Sequence, residues 1–195
     1  MVRVFLVLIC LQATARAEET DRWHLSAEGD VYVIPFSLAG EPTYSMHAAV
    51  RSPSLPRWTF ALGFFGGPYP KFYRDMIDTF NGNDNDGWET HVDGVLLRAL
   101  WFPRGREGWF VGGHVGVLRW EHRHEDRLSV ENTNQAVLWP AVGYRVFIHR
   151  ETVFLSIWTG PGVLSPNFAT SRTGPERHET AHLLPFGAVH LGAEL

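Results

Sequence analysis

Apolar side chains alternate with small or polar ones along eight segments of the sequence, with a period of two. This period places successive side chains on opposite faces of a β-strand. No segment of useful length beyond residue 18 holds apolar residues at helical spacing. The pattern therefore predicts an all-β protein with eight strands, at about 27–36, 42–51, 57–66, 87–102, 108–122, 133–148, 151–164 and 182–195.

The two faces of these strands differ in kind. In the third segment, Trp58, Phe60 and Leu62 alternate with Thr59 and Ala61. A soluble lipocalin-type barrel turns its large apolar residues inward, whereas a transmembrane barrel turns them toward lipid and keeps a small or polar lumen. The small face has few of the long charged side chains that water-facing surfaces carry. We therefore predict an eight-stranded antiparallel up-and-down transmembrane β-barrel, with the soluble barrel as the alternative.

Connection lengths between the predicted strands alternate, as they do in outer-membrane barrels. The short connections are 52–56, 103–107 and 149–150, and the long ones are 67–86, 123–132 and 165–181. With a periplasmic N-terminus, the long set faces outward, although the first outer loop, 38–41, is short. Proline removes a ladder donor, so irregular pairing is expected near Pro140, Pro161 and Pro185.

The N-terminus carries the features of a secretory signal peptide. Arg3 precedes an apolar run from Val4 to Leu11, and Ala15-Arg16-Ala17 is a cleavage signal. Residues 1–17 are thus predicted to be a signal peptide and residues 18–195 the barrel domain. The single cysteine, Cys10, lies within the signal, so the mature chain is expected to have no disulfide, cysteine-bound zinc or cysteine nucleophile. The net charge of −4 gives no reason to expect nucleic-acid binding.

Three stretches rich in glycine and aromatic residues carry a resemblance: Gly108–Val117, Pro140–Arg145 and Leu184–Gly192. The sequence resembles small eight-stranded outer-membrane β-barrel proteins of Gram-negative bacteria, an uncharacterised family. The resemblance implies a monomer in the cell outer membrane that contacts outer-membrane lipid and is inserted by the barrel assembly machinery. It implies no catalytic residue and no cofactor.

Ionisable residues on the small face predict a polar network in the lumen, because buried charges must be paired. Its members are expected to be Glu28, Asp30, His47, Arg98, His114, Arg145 and His190. We expect His114 and Arg145 to lie at similar depths on adjacent strands and to share Glu28 or Asp30 as an acidic partner. A structural plug is favoured over a proton relay or gate.

Two clusters in the loops contain residue types that bind metal ions. One comprises His122, His124, His178 and His182, and the other is the segment Asn81–Asp86. The second cluster lacks the ligand spacing of a calcium loop, and a solvated loop base accounts for the first. We predict no metal site, with calcium at Asn81–Asp86 left open.

Catalytic motifs are scarce in this sequence. The one H-x-S arrangement, His24-Leu25-Ser26, lies at or before the first predicted strand, and no G-x-S-x-G or H-E-x-x-H occurs. The expected function is that of a non-enzymatic outer-membrane protein, structural or acting through an extracellular partner at loops 67–86 and 165–181. Eight strands leave no open channel, so a pore is not expected. The alternatives are a soluble periplasmic barrel for a small apolar ligand and a lipid-modifying outer-membrane enzyme.

Overall fold

The structure is a computed structural model that describes residues 23–31 and 43–195. These residues form nine strands and one helix. The strands are β1 (His24–Asp30), β2 (Tyr44–Arg51), β3 (Trp58–Pro68), β4 (Trp88–Trp101), β5 (Gly108–His124), β6 (Val130–His149), β7 (Val153–Leu164), β8 (Ala169–Thr173) and β9 (Leu183–Glu194), and the helix is α1 (Lys71–Asn81).

Eight of the strands close into a cylinder. Neighbours along the chain pair antiparallel from β1 to β7, β9 pairs with β7, and β1 pairs with β9 to complete the ring. Among the described strands, β8 pairs with β6 alone, along the upper part of β6 beyond the end of β7, and it is not one of the eight strands that close the ring. The predicted all-β, eight-stranded, antiparallel up-and-down barrel is confirmed. We call the end with the turns 52–57, 102–107 and 150–152 the lower end, and the end with α1 the upper end.

The large apolar face of the sheet points outward. Leu62 is 40% exposed and Val115 54%, whereas the inward Ala61 is 6% exposed and His114 2%. The alternation predicted from the sequence is therefore confirmed, and its cause is the pleat of the strands. The inward face holds small, aromatic and charged residues, and the aromatic ones form the core.

A helix lies between β3 and β4, where the sequence analysis predicted a loop. That prediction was wrong. Helix α1 begins after Pro70 and ends at Gly82, which has a left-handed backbone. Tyr73 and Ile77, one turn apart, pack against the core. Arg74, Met76 and Asp78 are half-buried, whereas Lys71, Asp75 and Thr79 face water. Within the described residues, no helix is long and apolar enough to cross a membrane.

Several boundaries differ from the prediction. β1 begins at His24, and the expected residues 32–36 of the first strand and the turn 38–41 lie outside the described residues. Half of the expected loop 123–132 is strand, because β5 and β6 continue as a hairpin closed by residues 125–129. The carboxylate of Asp126 holds that turn by accepting hydrogen bonds from the backbone N–H groups of Leu128 and Ser129.

Pro140 and Pro161 lie at a gap in the β6–β7 ladder, whereas the β7–β9 register continues unbroken through Pro185, where irregular pairing was also expected. Between β6 and β7, pairing stops after Leu138–Val163 and resumes at Val142–Thr159 in the same register. Across the gap the backbones approach closely, since a Cβ at Gly160 would lie 1.8 Å from the Pro140 carbonyl oxygen. Glycine is therefore required at this position.

Candidate functional site

A carboxylate in the middle of the barrel organises the lumen. Glu28 projects inward from β1, with its side chain fully buried. Its two oxygens form ion pairs with the guanidinium groups of Arg98 on β4 and Arg145 on β6, the second at 3.8 Å. His190 on β9 adds a contact of 3.4 Å from Nδ1 to Glu28 Oε2. One carboxylate thus contacts two guanidinium groups and an imidazole, and all of these groups are buried.

Both ring nitrogens of His190 make polar contacts. The indole Nε1–H of Trp158 donates a hydrogen bond of 3.4 Å to Nε2 of His190, so that nitrogen is an acceptor. Its other nitrogen, Nδ1, lies 3.4 Å from Glu28 Oε2 and 3.4 Å from Arg98 Nη1. His190 therefore links the aromatic core to the charged cluster.

Arg145 is held between two aromatic rings near the lower end. Its guanidinium lies 4.9 Å from the Phe102 ring centroid and 4.1 Å from that of Phe154, and its Nε–H donates to Ser156 Oγ at 2.9 Å. Cation–π contacts of this kind stabilise a buried cation. This packing orients Arg145 toward Glu28.

The expected proximity of His114 and Arg145 was wrong. The β5–β6 register pairs Arg145 with Gly108, six residues below His114 along β5. His114 instead packs on the ring of Trp158 at 4.6 Å and is the cross-strand neighbour of Arg98. Register depends on strand stagger around the cylinder, which alternation alone does not specify.

The remaining predicted members lie around this cluster. His47 stacks on His190 at 4.9 Å and is the cross-strand neighbour of Glu28. Asp30 is opposite His190 across the β1–β9 pair and is only half-buried, nearer the upper end. All seven predicted residues thus face the interior, and six of them are buried.

A second ionic cluster, absent from the prediction, closes the lower end. The Glu194 carboxylate accepts hydrogen bonds from Arg51 at 3.0 Å and Arg106 at 3.1 Å, with His24 at 3.9 Å. Arg51 and Glu194 continue the inward alternation of β2 and β9 by one further step. The period-two pattern, carried to the strand ends, would have identified both.

The upper end is covered by α1 and the segment between β7 and β9. The Asn81 side chain bonds to the backbones of His182 and Leu183, and Asn85 bonds to the backbone of Glu179 and to Asp78. The amide groups of this Asn-rich segment are therefore used in holding the two segments together. We call this assembly the cap.

The histidines of the first cluster do not converge. His122 and His178 stack with centroids 3.5 Å apart, and His124 contacts Trp88 and Asp126. Within residues 23–31 and 43–195, no group of three or more His, Cys, Asp or Glu side chains is arranged to hold a metal ion. Burial, together with the charge of Arg74, lowers the pKa of His178 to about 4, so this ring is neutral at pH 7.

The H-x-S residues lie on the inward face of β1 near the lower end. Ser26 is buried, and His24 lies beside the Glu194 carboxylate that Arg51 and Arg106 already bind.

Comparisons with protein-family models and with curated protein sequences found no match. The geometry of the barrel alone therefore supports the functional argument, and the resemblance to small outer-membrane barrels stays a prediction.

Proposed function

We propose that this chain is an outer-membrane β-barrel protein of structural or loop-mediated function, without catalytic activity and without a pore. The outward surface carries the proposal. On β5, the outward residues from Trp109 to Val117 are apolar or glycine, and above them come Arg119, Glu121 and Arg123. An abrupt change from apolar to charged residues along one face is what a lipid boundary selects.

The height of the apolar segment suits a bilayer. Trp109 to Val117 spans about 27 Å along the strand at ~3.4 Å per residue, and a strand tilt of about 40° reduces this to ~20 Å. Outer-membrane barrels carry an apolar band of about 25 Å. Trp58, Trp101 and Tyr144 join Trp109 at the lower edge, where an aromatic girdle is expected.

The inward surface supports the absence of a channel. Trp139, Trp158 and Phe154, together with the ionic clusters, block the cylinder across its middle and lower parts, and each of these three residues is at most 6% exposed. A soluble ligand-binding barrel would reverse these faces, with charged residues outside and an apolar interior. The loop-mediated role is assigned to the cap, because it presents an ordered surface at the upper end.

Fractionation of the native host tests the proposal. The protein should remain with membranes after carbonate extraction, and an unheated sample should migrate differently on a gel from a boiled one, because a closed barrel has no free edge at which unfolding starts. Release by carbonate, or identical migration, would refute it. Purified protein in planar bilayers should show no conductance.

Orientation has its own test with two matched insertion sites. At Gly82 in the cap and at Gly105 in a lower turn, an added Cβ would meet no atom within 4 Å. An epitope tag at Gly82 should bind antibody on intact cells, and one at Gly105 should bind only after permeabilisation. The reverse result would place the cap in the periplasm and remove the loop-mediated role.

A further inference from the structure

The upper half of the barrel contains a cavity that the proposed function does not use. Its volume is about 350 Å³, within the range of small-molecule sites. Aromatic rings form much of its wall, from Phe65, Tyr73, Trp139, Trp158 and Phe186. The exposed residues Tyr44 and Phe72 belong to its rim, so the cavity reaches the surface beside the cap.

The floor of the cavity is polar. His47, His114 and His190 lie there, below the aromatic wall. His114 is 2% exposed, and among residues 23–31 and 43–195 neither of its ring nitrogens has a hydrogen-bond partner of normal geometry, although the Trp139 backbone is a polar neighbour. Buried polar groups in native proteins are almost always bonded, so each exception calls for an explanation. A ligand that carries a hydrogen-bonding group would provide the missing partner.

The charges below the floor favour a neutral ligand. The two positive charges of Arg98 and Arg145 are matched by two carboxylates, Glu28 between them and Asp30 at the edge of the cavity, so a further ion would be buried without a counterion. Burying an unpaired charge is far more costly than burying a hydroxyl that finds a partner. A neutral imidazole offers one donor and one acceptor, which match a hydroxyl group.

We propose that this cavity binds a neutral aromatic molecule bearing one hydroxyl or similar hydrogen-bonding group, with its ring against the aromatic wall and its polar group at His114 or His47. Ring contacts with such a wall contribute beyond the burial of apolar area. The inference concerns the barrel interior and holds whether or not the cap has an extracellular partner.

Three probes with one aromatic body test the proposal: 2-naphthol, naphthalene and 2-naphthoate. Each is dialysed at pH 7 against the purified barrel in lipid nanodiscs, with empty nanodiscs as the blank for partition into lipid. 2-Naphthol should bind saturably at one site. Naphthalene should bind about fivefold more weakly, since one hydrogen bond contributes ~1 kcal/mol. 2-Naphthoate should bind at least tenfold more weakly.

Variants locate the site. Ser45 lines the cavity, so Ser45→Phe should fill it and abolish 2-naphthol binding, while Ala48→Phe on the outward face of the same strand should bind like the original protein. His114→Phe should lower 2-naphthol affinity to that of naphthalene and leave naphthalene unchanged. If His47 is the partner, His47→Phe should show this loss instead.

Binding to the unsubstituted protein tests whether the cavity takes a neutral aromatic molecule, without the need for any variant. No saturable binding above empty nanodiscs, or tightest binding by 2-naphthoate, would overturn the proposal. Full binding by a Ser45→Phe barrel that shows the normal heat-dependent gel shift would also overturn it.

Discussion

Replacing Glu28 by Gln should destabilise the barrel more than any surface substitution. The change removes the negative charge that Arg98 and Arg145 share and leaves two buried cations close together. At the 3.8 Å separation of Arg145 and Glu28, one ion pair is worth about 4 kcal/mol at an effective dielectric constant of 20. Part of this is offset, because a buried carboxylate no longer has to be desolvated. We expect a net loss of about 3–5 kcal/mol.

The measurement is urea-induced unfolding in phospholipid vesicles, followed by tryptophan fluorescence and by the folded band on unheated gels. Glu89→Gln provides the matched control, since Glu89 is exposed on β4 and should change stability by less than ~0.5 kcal/mol. A Glu28→Gln variant within 1 kcal/mol of the control would show that the cluster is not a tightly coupled network.

A double substitution separates lost charge from lost packing. In Glu28→Gln/Arg98→Met, only Arg145 remains, so its repulsion with a neighbouring cation is gone. The double variant should therefore be more stable than Glu28→Gln alone, by about 1–2 kcal/mol, because coupled residues are not additive. A double variant as unstable as the single one would reject the proposed charge sharing.

The other predictions concern the surface, the cap and the ladder gap. Val115→Arg should lower the free energy of unfolding in vesicles by about 2–4 kcal/mol, because Val115 faces lipid in the proposed orientation. Leu128→Arg, at an exposed turn, is the control and should leave this free energy almost unchanged. Equal effects of the two substitutions would mean that the inward and outward faces are misassigned. The folded pKa of His178, about 4, lies below its ordinary 6.5, so an unfolded cap takes up a proton first as the pH falls. The cap should therefore lose hydrogen-exchange protection between about pH 6.5 and 4. His178→Phe should reduce that pH dependence, and constant protection in the unsubstituted protein would contradict the reasoning. Gly160→Ala should lower stability by about 1–3 kcal/mol in the urea assay, since the new Cβ would collide with the Pro140 carbonyl; an unchanged midpoint would mean that the backbones separate easily.

The fold could be predicted from the sequence because strand alternation is a local property. Leu62 and Ala61 are adjacent in sequence, and the pleat alone sends one outward and the other inward. The closure of the sheet into a barrel could be predicted from the even number of strands and from the alternating lengths of their connections. Helix α1 was also readable from the sequence, because its apolar residues Phe72, Tyr73, Met76, Ile77 and Phe80 recur at helical spacing. The prediction missed this short segment inside a long connection, although Pro70 and Gly82 mark its boundaries.

The membership of the lumen network could be predicted more reliably than its contacts. Every second side chain along a strand faces inward, so the inward residues Glu28 and Arg98 could both be identified from their positions in the sequence. Contact depends on how far each strand is displaced along the cylinder, and this stagger is a property of the closed ring. His114 and Arg145 show the difference, since they lie on adjacent strands yet six register positions apart.

The charged cluster and the aromatic cavity occupy different levels along the barrel axis, and this arrangement limits what the lumen can do. The ionic cluster around Glu28 lies below His190, and the aromatic cavity lies above it, so His190 borders both. A molecule entering beside the cap would meet the imidazoles as a floor and could not pass through. In this arrangement the charged cluster stabilises the fold, and the cavity binds the ligand that we propose. Glu28→Gln should weaken the fold, whereas Ser45→Phe should abolish 2-naphthol binding in a barrel that still folds. This separation is expected only if the two halves of the lumen have different roles.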